Sequence, residues 1–330
     1  MGRLRKSEIK KLRGALILLI LFAASALKGL EGGFNESDAD ERIENLSEYE
    51  IEGATRNTAD RADSNAEKGI LEVEFIDIGQ ADSTLISCGG ESMLIDAGEN
   101  DTGEELSEYI RSKGISELKY AIGTHPHSDH IGGMDDVLDS IDCDVLMMPD
   151  YERDIKTYTE VLESAEENGT EIINPEPGDS FNLGGASFTI IWPDSYADYG
   201  DNINNYSIAL LLENGDTSFL FTGDAEEAEE EDIIESAERL GLDMDVDVYK
   251  AGHHGSSTAT SWELLEAFSP EYVVISCGRN NEYGFPHDST LRKLETIRAN
   301  VYRTDKQGNI TAVSDGEKVS FDKEPVGYSF

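Results

Sequence analysis

The stretch Thr124-His125-Pro126-His127-Ser128-Asp129-His130-Ile131-Gly132-Gly133 decides how the chain is read. It places three histidines and one carboxylate within six positions, and imidazole and carboxylate are ligands for zinc and other borderline divalent metals. The apolar run before it, Leu118-Lys119-Tyr120-Ala121-Ile122-Gly123, predicts a short buried strand, and residues 134–140 after the glycine pair predict a helix. The cluster therefore belongs on a strand-to-helix loop, where α/β proteins place their sites. On an extended loop His125 and His127 point the same way and one metal can take both. Asp129 and His130, from the turn that follows, are then placed for a second. The whole chain has six histidines, and the other three, His253, His254 and His287, lie in two further motif-like loops.

Working outward, strand-like runs end in acidic residues. Asp96 closes Met93-Leu94-Ile95-Asp96-Ala97-Gly98, and Asp224 closes Phe221-Thr222-Gly223-Asp224. A carboxylate at the second position can bridge two metals, one per oxygen; it is equally a good helix N-cap. Asp96 is placed to hold the histidine loop by hydrogen bonds. Asp82, after Gly79-Gln80-Ala81, is similar, and both are also plausible turn formers. The run Tyr249-Lys250-Ala251-Gly252-His253-His254-Gly255-Ser256-Ser257 follows another strand. Neighbours on an extended loop point apart, so one imidazole can bind metal while the other faces substrate. The donors around Ser256 suit an oxyanion or phosphate, and Lys250 adds a point charge if it is not a surface lysine.

The predicted elements alternate between strands and helices. Strands are expected over 70–78, 83–88, 92–95, 118–123, 143–148, 187–192, 207–212, 217–222, 246–249, 272–276, 300–303, 310–314 and 318–321. Helices are expected over 102–113, 134–140, 155–168, 225–240, 261–268 and 290–299. A hairpin is expected through Asn214-Gly215. Cys88, Cys143 and Cys277 are an odd number without regular spacing, which argues for free thiols rather than a disulfide framework.

The chain has 330 residues and a formal charge of −43, from 26 Lys+Arg against 69 Asp+Glu. Such a charge repels nucleic acid and strains a fold in dilute buffer. At 1 M salt the Debye length is about 3 Å, so an acid excess spread over a folded domain predicts a halophilic protein. Residues 1–14 are basic and 15–27 almost wholly apolar, ending in Ala23-Ala24-Ser25-Ala26. That order predicts a signal peptide over 1–27, or an anchor, although the run is short of the roughly 20 residues a spanning helix needs. Residues 28–68 read as an acidic linker and 69–330 as one domain. The expected location is secreted, or held at the outer face of the cytoplasmic membrane with the N-terminal segment as its sole membrane contact.

Leu94-Ile95-Asp96-Ala97-Gly98, the loop 124–133, Thr222-Gly223-Asp224 and Gly252-His253-His254-Gly255-Ser256 together resemble the metallo-β-lactamase superfamily. They are most similar to the C-terminal hydrolase domain of ComEC-type competence proteins. Asp77-Ile78-Gly79-Gln80-Ala81-Asp82 resembles that group's opening strand. Cys277-Gly278-Arg279-Asn280-Asn281-Glu282-Tyr283-Gly284-Phe285-Pro286-His287 and Tyr302-Arg303-Thr304-Asp305 resemble its closing motifs. The resemblance implies a four-layer αββα sandwich with two divalent metals, zinc or else manganese. His125 and His127 would hold the first metal and Asp129 and His130 the second, with Asp224 bridging. His254 is favoured over His253 to complete the second site, leaving His253, Lys250 and Asp129 for catalysis and Ser256, Asn205, Asn281 and His287 for substrate. Two departures stand out. No histidine precedes Asp224 where the superfamily usually has one, Asn204-Asn205 lying there instead, and Phe285 stands before Pro286 where the group tends to carry histidine. The implied function is hydrolysis of a phosphodiester, most plausibly in extracellular DNA, with no obligate protein partner. A carbonyl hydrolase acting on a lactam, lactone or thioester and a non-catalytic metal-binding module are the rivals.

Overall fold

Alternation along the strands separates two apolar faces, and this fixes the layers. In Glu91–Ala97, Met93 and Ile95 enter one core while Leu94 enters another; in Ala209–Asn214, Leu210 and Leu212 part from Leu211 in the same way. A strand buried on both faces must sit in a sheet covered on both sides. The computed structural model describes residues 69–150 and 155–328, which fall within the unit Ala66–Phe330. The signal or anchor segment expected over 1–27 and the linker over 28–68 lie outside the described residues.

The strands form two sheets. The first is ordered β15-β14-β1-β2-β3-β4-β5-β6 and the second β13-β12-β11-β10-β9-β8-β7. The elements of the first sheet are β1 (Leu71–Phe75), β2 (Ser83–Cys88), β3 (Glu91–Ala97), β4 (Glu117–Ile122), β5 (Asp142–Met147), β6 (Glu171–Ile173), β14 (Ile310–Ser314) and β15 (Val319–Phe321). Those of the second are β7 (Ser180–Leu183), β8 (Ala186–Trp192), β9 (Ala209–Asn214), β10 (Thr217–Phe221), β11 (Val248–Lys250), β12 (Tyr272–Ile275) and β13 (Asn300–Arg303). Phe75, Ile86, Met93 and Ile95 of one sheet meet Phe188, Leu210, Phe219 and Phe221 of the other in the central core. Helices α1 (Gly103–Ser112), α2 (Ser128–Ile131), α3 (Met134–Ser140) and α4 (Lys156–Asn168) cover the first sheet. Helices α5 (Glu227–Leu240), α6 (Trp262–Phe268) and α7 (Asp288–Ile297) cover the second, and α8 (Thr304–Gln307) is a single turn. The result is the αββα sandwich expected from the motifs.

Within each sheet one half is antiparallel and the other parallel. The pairs β3–β4, β4–β5 and β5–β6 are parallel, as are β10–β11, β11–β12 and β12–β13. Ligands of open parallel sheets bind beyond the carboxyl ends of the strands. Here β3 and β4 of one sheet and β10 and β11 of the other end close to one another, and Asp96, the histidine loop, Asp224 and the His253-His254 pair each lie at one of these ends.

Three expectations change. The β9–β10 turn is Gly215-Asp216, because Asn214 still pairs with Thr217 inside the ladder. The Asn214 side chain is buried and donates to Ser314 Oγ and Gly69 O, so it serves the core rather than the turn. Strands β6 and β7 add to the predicted set; one is three residues long and the other, Ser-Phe-Asn-Leu, carries two polar residues, so neither has a clear strand pattern. The histidine loop is not extended throughout: from Ser128 it winds into α2. Among the described residues no helix is long and apolar enough to cross a membrane.

Candidate metal centre

His130 and His254 are fully buried, and each has its Nδ1 edge fixed by an acceptor. His130 Nδ1 lies 2.8 Å from Asp96 Oδ2, and His254 Nδ1 lies 3.2 Å from the carbonyl of Ser276. Both rings donate from Nδ1, so Nε2 is the nitrogen each offers to a metal. The two Nε2 atoms face carboxylates. His130 Nε2 is 3.2 Å from Asp224 Oδ1, and His254 Nε2 is 3.2 Å from Asp129 Oδ2 and 3.6 Å from Asp224 Oδ2. His130 Nε2 and Asp224 Oδ1 lack hydrogen-bond geometry and are unpartnered buried atoms. Imidazole nitrogens and carboxylate oxygens converging at this spacing, one pair of them without a hydrogen bond, are what ligands of one cation look like. With metal–nitrogen bonds of 2.0–2.1 Å, tetrahedral donors stand about 3.3 Å apart. The donor set therefore fits a divalent metal.

His125 and His127 form a second pair. The hydroxyl of Thr124 donates to Asp96, and that of Ser207 donates to the Asn204 carbonyl at 2.8 Å. Both hydroxyls touch His125 Nδ1, at 3.2 and 3.3 Å, and can only accept. His125 is thus an Nδ1–H tautomer whose bare Nε2 sits 3.0 Å from His127 Nδ1. Burial, then the charge of His130, pushes the His125 imidazole well below the usual histidine range, which keeps it a neutral donor.

The backbone reaches this arrangement through left-handed residues. Asp96 has φ +58°, and its carboxylate holds Thr124 by both N–H and hydroxyl besides His130. His253 and His254 have φ +48° and +53°, an uncommon region for non-glycine residues that persists only where surroundings enforce it. The loop is therefore a tight left-handed turn and not the extended segment expected. It is pinned by His253 N–H to Gly223 O (3.2 Å) and Ser256 N–H to His253 O (2.7 Å). Gly223, at φ +52°, leaves no room for a Cβ, which would lie 2.7 Å from Ser207 Oγ.

Lys250 is buried, and its ammonium binds the Asp82 carboxylate. Asp82 shares a set with His130, Asp224 and His254 whose nearest donor atoms all lie within 4.8 Å of one another. Yet it faces their Nδ1 edges, at 3.9 Å from His130 and 3.8 Å from His254. With a lysine on it and the wrong side of both rings before it, Asp82 backs the centre rather than lining it. Burial alone would pull the Lys250 ammonium down, but Asp82 and Asp224 reverse this and hold it charged.

The expected substrate residues are placed as follows. Asn281 donates to the carbonyls of Gly278 and Phe285 and accepts from Phe285 N–H. His287 accepts from Ser257 N–H at 2.9 Å and reaches the Tyr283 carbonyl at 3.3 Å. Ser256 Oγ meets Thr258, and Asn205 Oδ1 accepts from Glu226 N–H. These contacts shape the loops around the centre. His253, in contrast, stands at the rim with Nε2 3.7 Å from Asp224 Oδ2. Glu226, not singled out in the sequence, lies beside it; a hydrogen bond from His253, outweighing partial burial, pushes its carboxyl down to about 2. Nothing distinguishes it in an acidic helix start except its place two residues after Asp224. Thr124, Ser207 and the Ser276 carbonyl, which orient the rings, were equally invisible.

Two imidazole pairs and a carboxylate between them, at the shared edge of an αββα sandwich, define the class. The metallo-β-lactamase superfamily model matches residues 76–279, well over half of the chain, and the chain belongs to that superfamily. Among curated proteins its matches include ComEC-type competence proteins. ComE operon protein 3 of Bacillus subtilis is 31% identical over 257 residues, covering 72% of this chain and 32% of that protein. Recombination protein 2 of Haemophilus influenzae is 31% identical over 251 residues, covering 74% and 29%. The chain thus spans about a third of the length of these relatives. Among solved structures, the metallo-β-lactamase fold protein YhfI of Bacillus subtilis matches with a TM-score of 0.49 at 12% identity, covering 77% of this chain and 99% of that one.

Proposed function

We propose that the domain is a binuclear metal-dependent phosphodiesterase that cuts nucleic acid, most plausibly DNA outside the cytoplasm. The observation that carries this reading is the Asp224 carboxylate. One oxygen faces His130 Nε2 at 3.2 Å, and the other faces His254 and His253 at 3.6 and 3.7 Å. His130, His254, Asp129 and Asp224 would hold one cation; His125, His127 and Asp224 would hold its neighbour. Zinc is the first choice for such a nitrogen-rich set and manganese the second. Bound metals would supply a nucleophile at neutral pH and offset charge on a phosphoryl group.

The chain's own residues do the rest. Asp96 and the Ser276 carbonyl keep the imidazoles oriented. Asp82 and Lys250 keep the floor of the site nearly neutral. His253 presents Nε2 above Asp224, where it can hand a proton to a departing oxygen. Tyr283, 60% exposed, stacks on Phe285 at 5.4 Å and 15°, and Phe285 lies 6.0 Å from the His254 ring. An exposed aromatic shelf beside the centre suits an unpaired base, for which stacking contributes about 1–3 kcal/mol. The names of the relatives speak of competence and recombination, and recombination is a reaction of nucleic acid.

The deciding assay offers linear single- and double-stranded DNA, a cyclic dinucleotide and a chromogenic lactam to the metal-loaded chain in molar salt. Cleavage of DNA is expected. Turnover of the lactam alone would transfer the reading to a carbonyl substrate, and no turnover by fully loaded protein would leave a binding module. The acid excess is proposed as an adaptation to high salt, so the melting temperature should peak in molar salt and not in dilute buffer. Export is proposed from the order of residues 1–27, and the intact mass of protein recovered outside the cell should begin after about residue 26.

A further inference from the structure

Four polar groups from two loops converge on the Glu226 side chain. Asn202 Nδ2 reaches Oε2 at 2.7 Å. Thr258 Oγ1 donates to Oε1 at 2.9 Å, with Asn204 Nδ2 at 3.4 Å and His253 Nδ1 at 3.4 Å from the same oxygen. Its own N–H is held by Asn205 Oδ1 at 2.9 Å. The Thr258 hydroxyl, having given its hydrogen to Glu226, can only accept from His253 Nδ1, 3.2 Å away. Both neighbours of that nitrogen are therefore acceptors, and the ring must carry a proton there. Its other nitrogen is then turned toward Asp224.

We propose that Glu226 is the positioning residue of His253, anchoring Nδ1–H so that the second proton of the imidazolium, on Nε2, is aimed at the leaving oxygen above Asp224. This rests on the phosphodiesterase reading. In the step, a water oxygen bonds to phosphorus, and the bond from phosphorus to the leaving oxygen breaks with its electron pair staying on that oxygen. The Nε2 proton of His253 goes to the leaving oxygen. The proton released by the attacking water returns to His253 through solvent. Glu226 touches no substrate atom; it acts through the ring.

The test uses the full chain, metal-loaded, with two probes. Thymidylyl-thymidine leaves an alkoxide that needs a proton, whereas bis-p-nitrophenyl phosphate leaves a phenolate stable without one. Glu226→Gln should lower kcat about 100-fold on the first, in line with loss of general acid catalysis, and less than about 3-fold on the second, with KM and metal content unchanged. In a His253→Ala background the same change should do nothing further. Asn202→Ala, which cuts the contact on the far oxygen, should treat the two probes alike. Nitrogen NMR of the metal-free chain, at a pH where the ring is neutral, should find the remaining proton of His253 on Nδ1, and shared between the two nitrogens in Glu226→Gln. If Glu226→Gln fails to fold, Thr258→Val must show the same selective loss. Equal losses on both probes, or an unchanged tautomer, would overturn the inference while sparing the phosphodiesterase reading. A wild-type chain that cleaves neither probe would bring both down.

Discussion

The two halves of the metal centre are built differently. In the deep half, His130 and His254 are each tied at Nδ1 to a committed acceptor, and Asp82 with Lys250 stands behind both. In the outer half, His125 rests on two longer contacts to hydroxyls, and His127 is half-exposed with Nδ1 turned to its partner. The third histidine usual in the superfamily is replaced by Asn204-Asn205, whose side chains turn to Glu226. The floor differs as well. An ion pair backs the deep half, whereas Glu229, buried beside the Ser207 backbone with neither oxygen hydrogen-bonded, backs the outer half. On the proposed two-metal reading, preorganisation is concentrated on one metal position, and the other is left to adapt.

That contrast can be broken most forcefully at Lys250. Lys250→Ala leaves the Asp82 carboxylate buried and alone, which should cost about 3–5 kcal/mol of stability. Denaturant unfolding of the metal-free chain measures it; a change under 1 kcal/mol would mean that the pair is not desolvated as described. Next comes Asp96→Asn, which weakens the support of His130. It should lower affinity for the tighter metal by about 10–100-fold, the usual effect of removing such a partner. Ser207→Ala, which frees His125 Nδ1 and the Asp224 N–H, should weaken the weaker metal more than the tighter one. Calorimetric titration with zinc separates the two, and a wild-type isotherm with two equal sites would erase the contrast.

The smallest effect concerns Glu229. Burial raises its carboxyl well above the ordinary glutamate value. The stability it permits is thus complete below the unfolded pKa near 4.3 and is lost as pH rises toward the folded value. Glu229→Gln removes that loss. The melting temperature should rise by at least about 2 °C at pH 7.5 and stay unchanged near pH 4, where 1 kcal/mol equals about 2–4 °C at this size. A rise independent of pH would point to packing instead.

The αββα layers were legible because strand alternation and the order of helices state them directly. The histidine loop was legible because three of the six histidines and an aspartate crowd into six positions just after a strand. What the sequence hid are properties of the folded backbone. The left-handed turn at His253-His254 is imposed by Gly223 and Ser256, contacts without a local signature. Lys250 gives no hint of burial until Asp82, 168 positions away, comes to meet it. Ser256, Asn281 and His287 look like donors awaiting a ligand, yet their polar groups fold their own loops. Glu226 could not be told from its acidic neighbours.

The deep half joins parts of the chain that are far apart: His254 meets Asp129 across 125 positions, from opposite sheets. A metal held there staples the first half of the domain to the second. Closing so long a loop is a slow, late event when contacts are this distant in sequence. Metal capture would then mark the completion of folding, and either half made alone would have little to bind with. The same staple should act on lifetime: a chain that must release its ion before the sheets part unfolds more slowly than its equilibrium stability suggests.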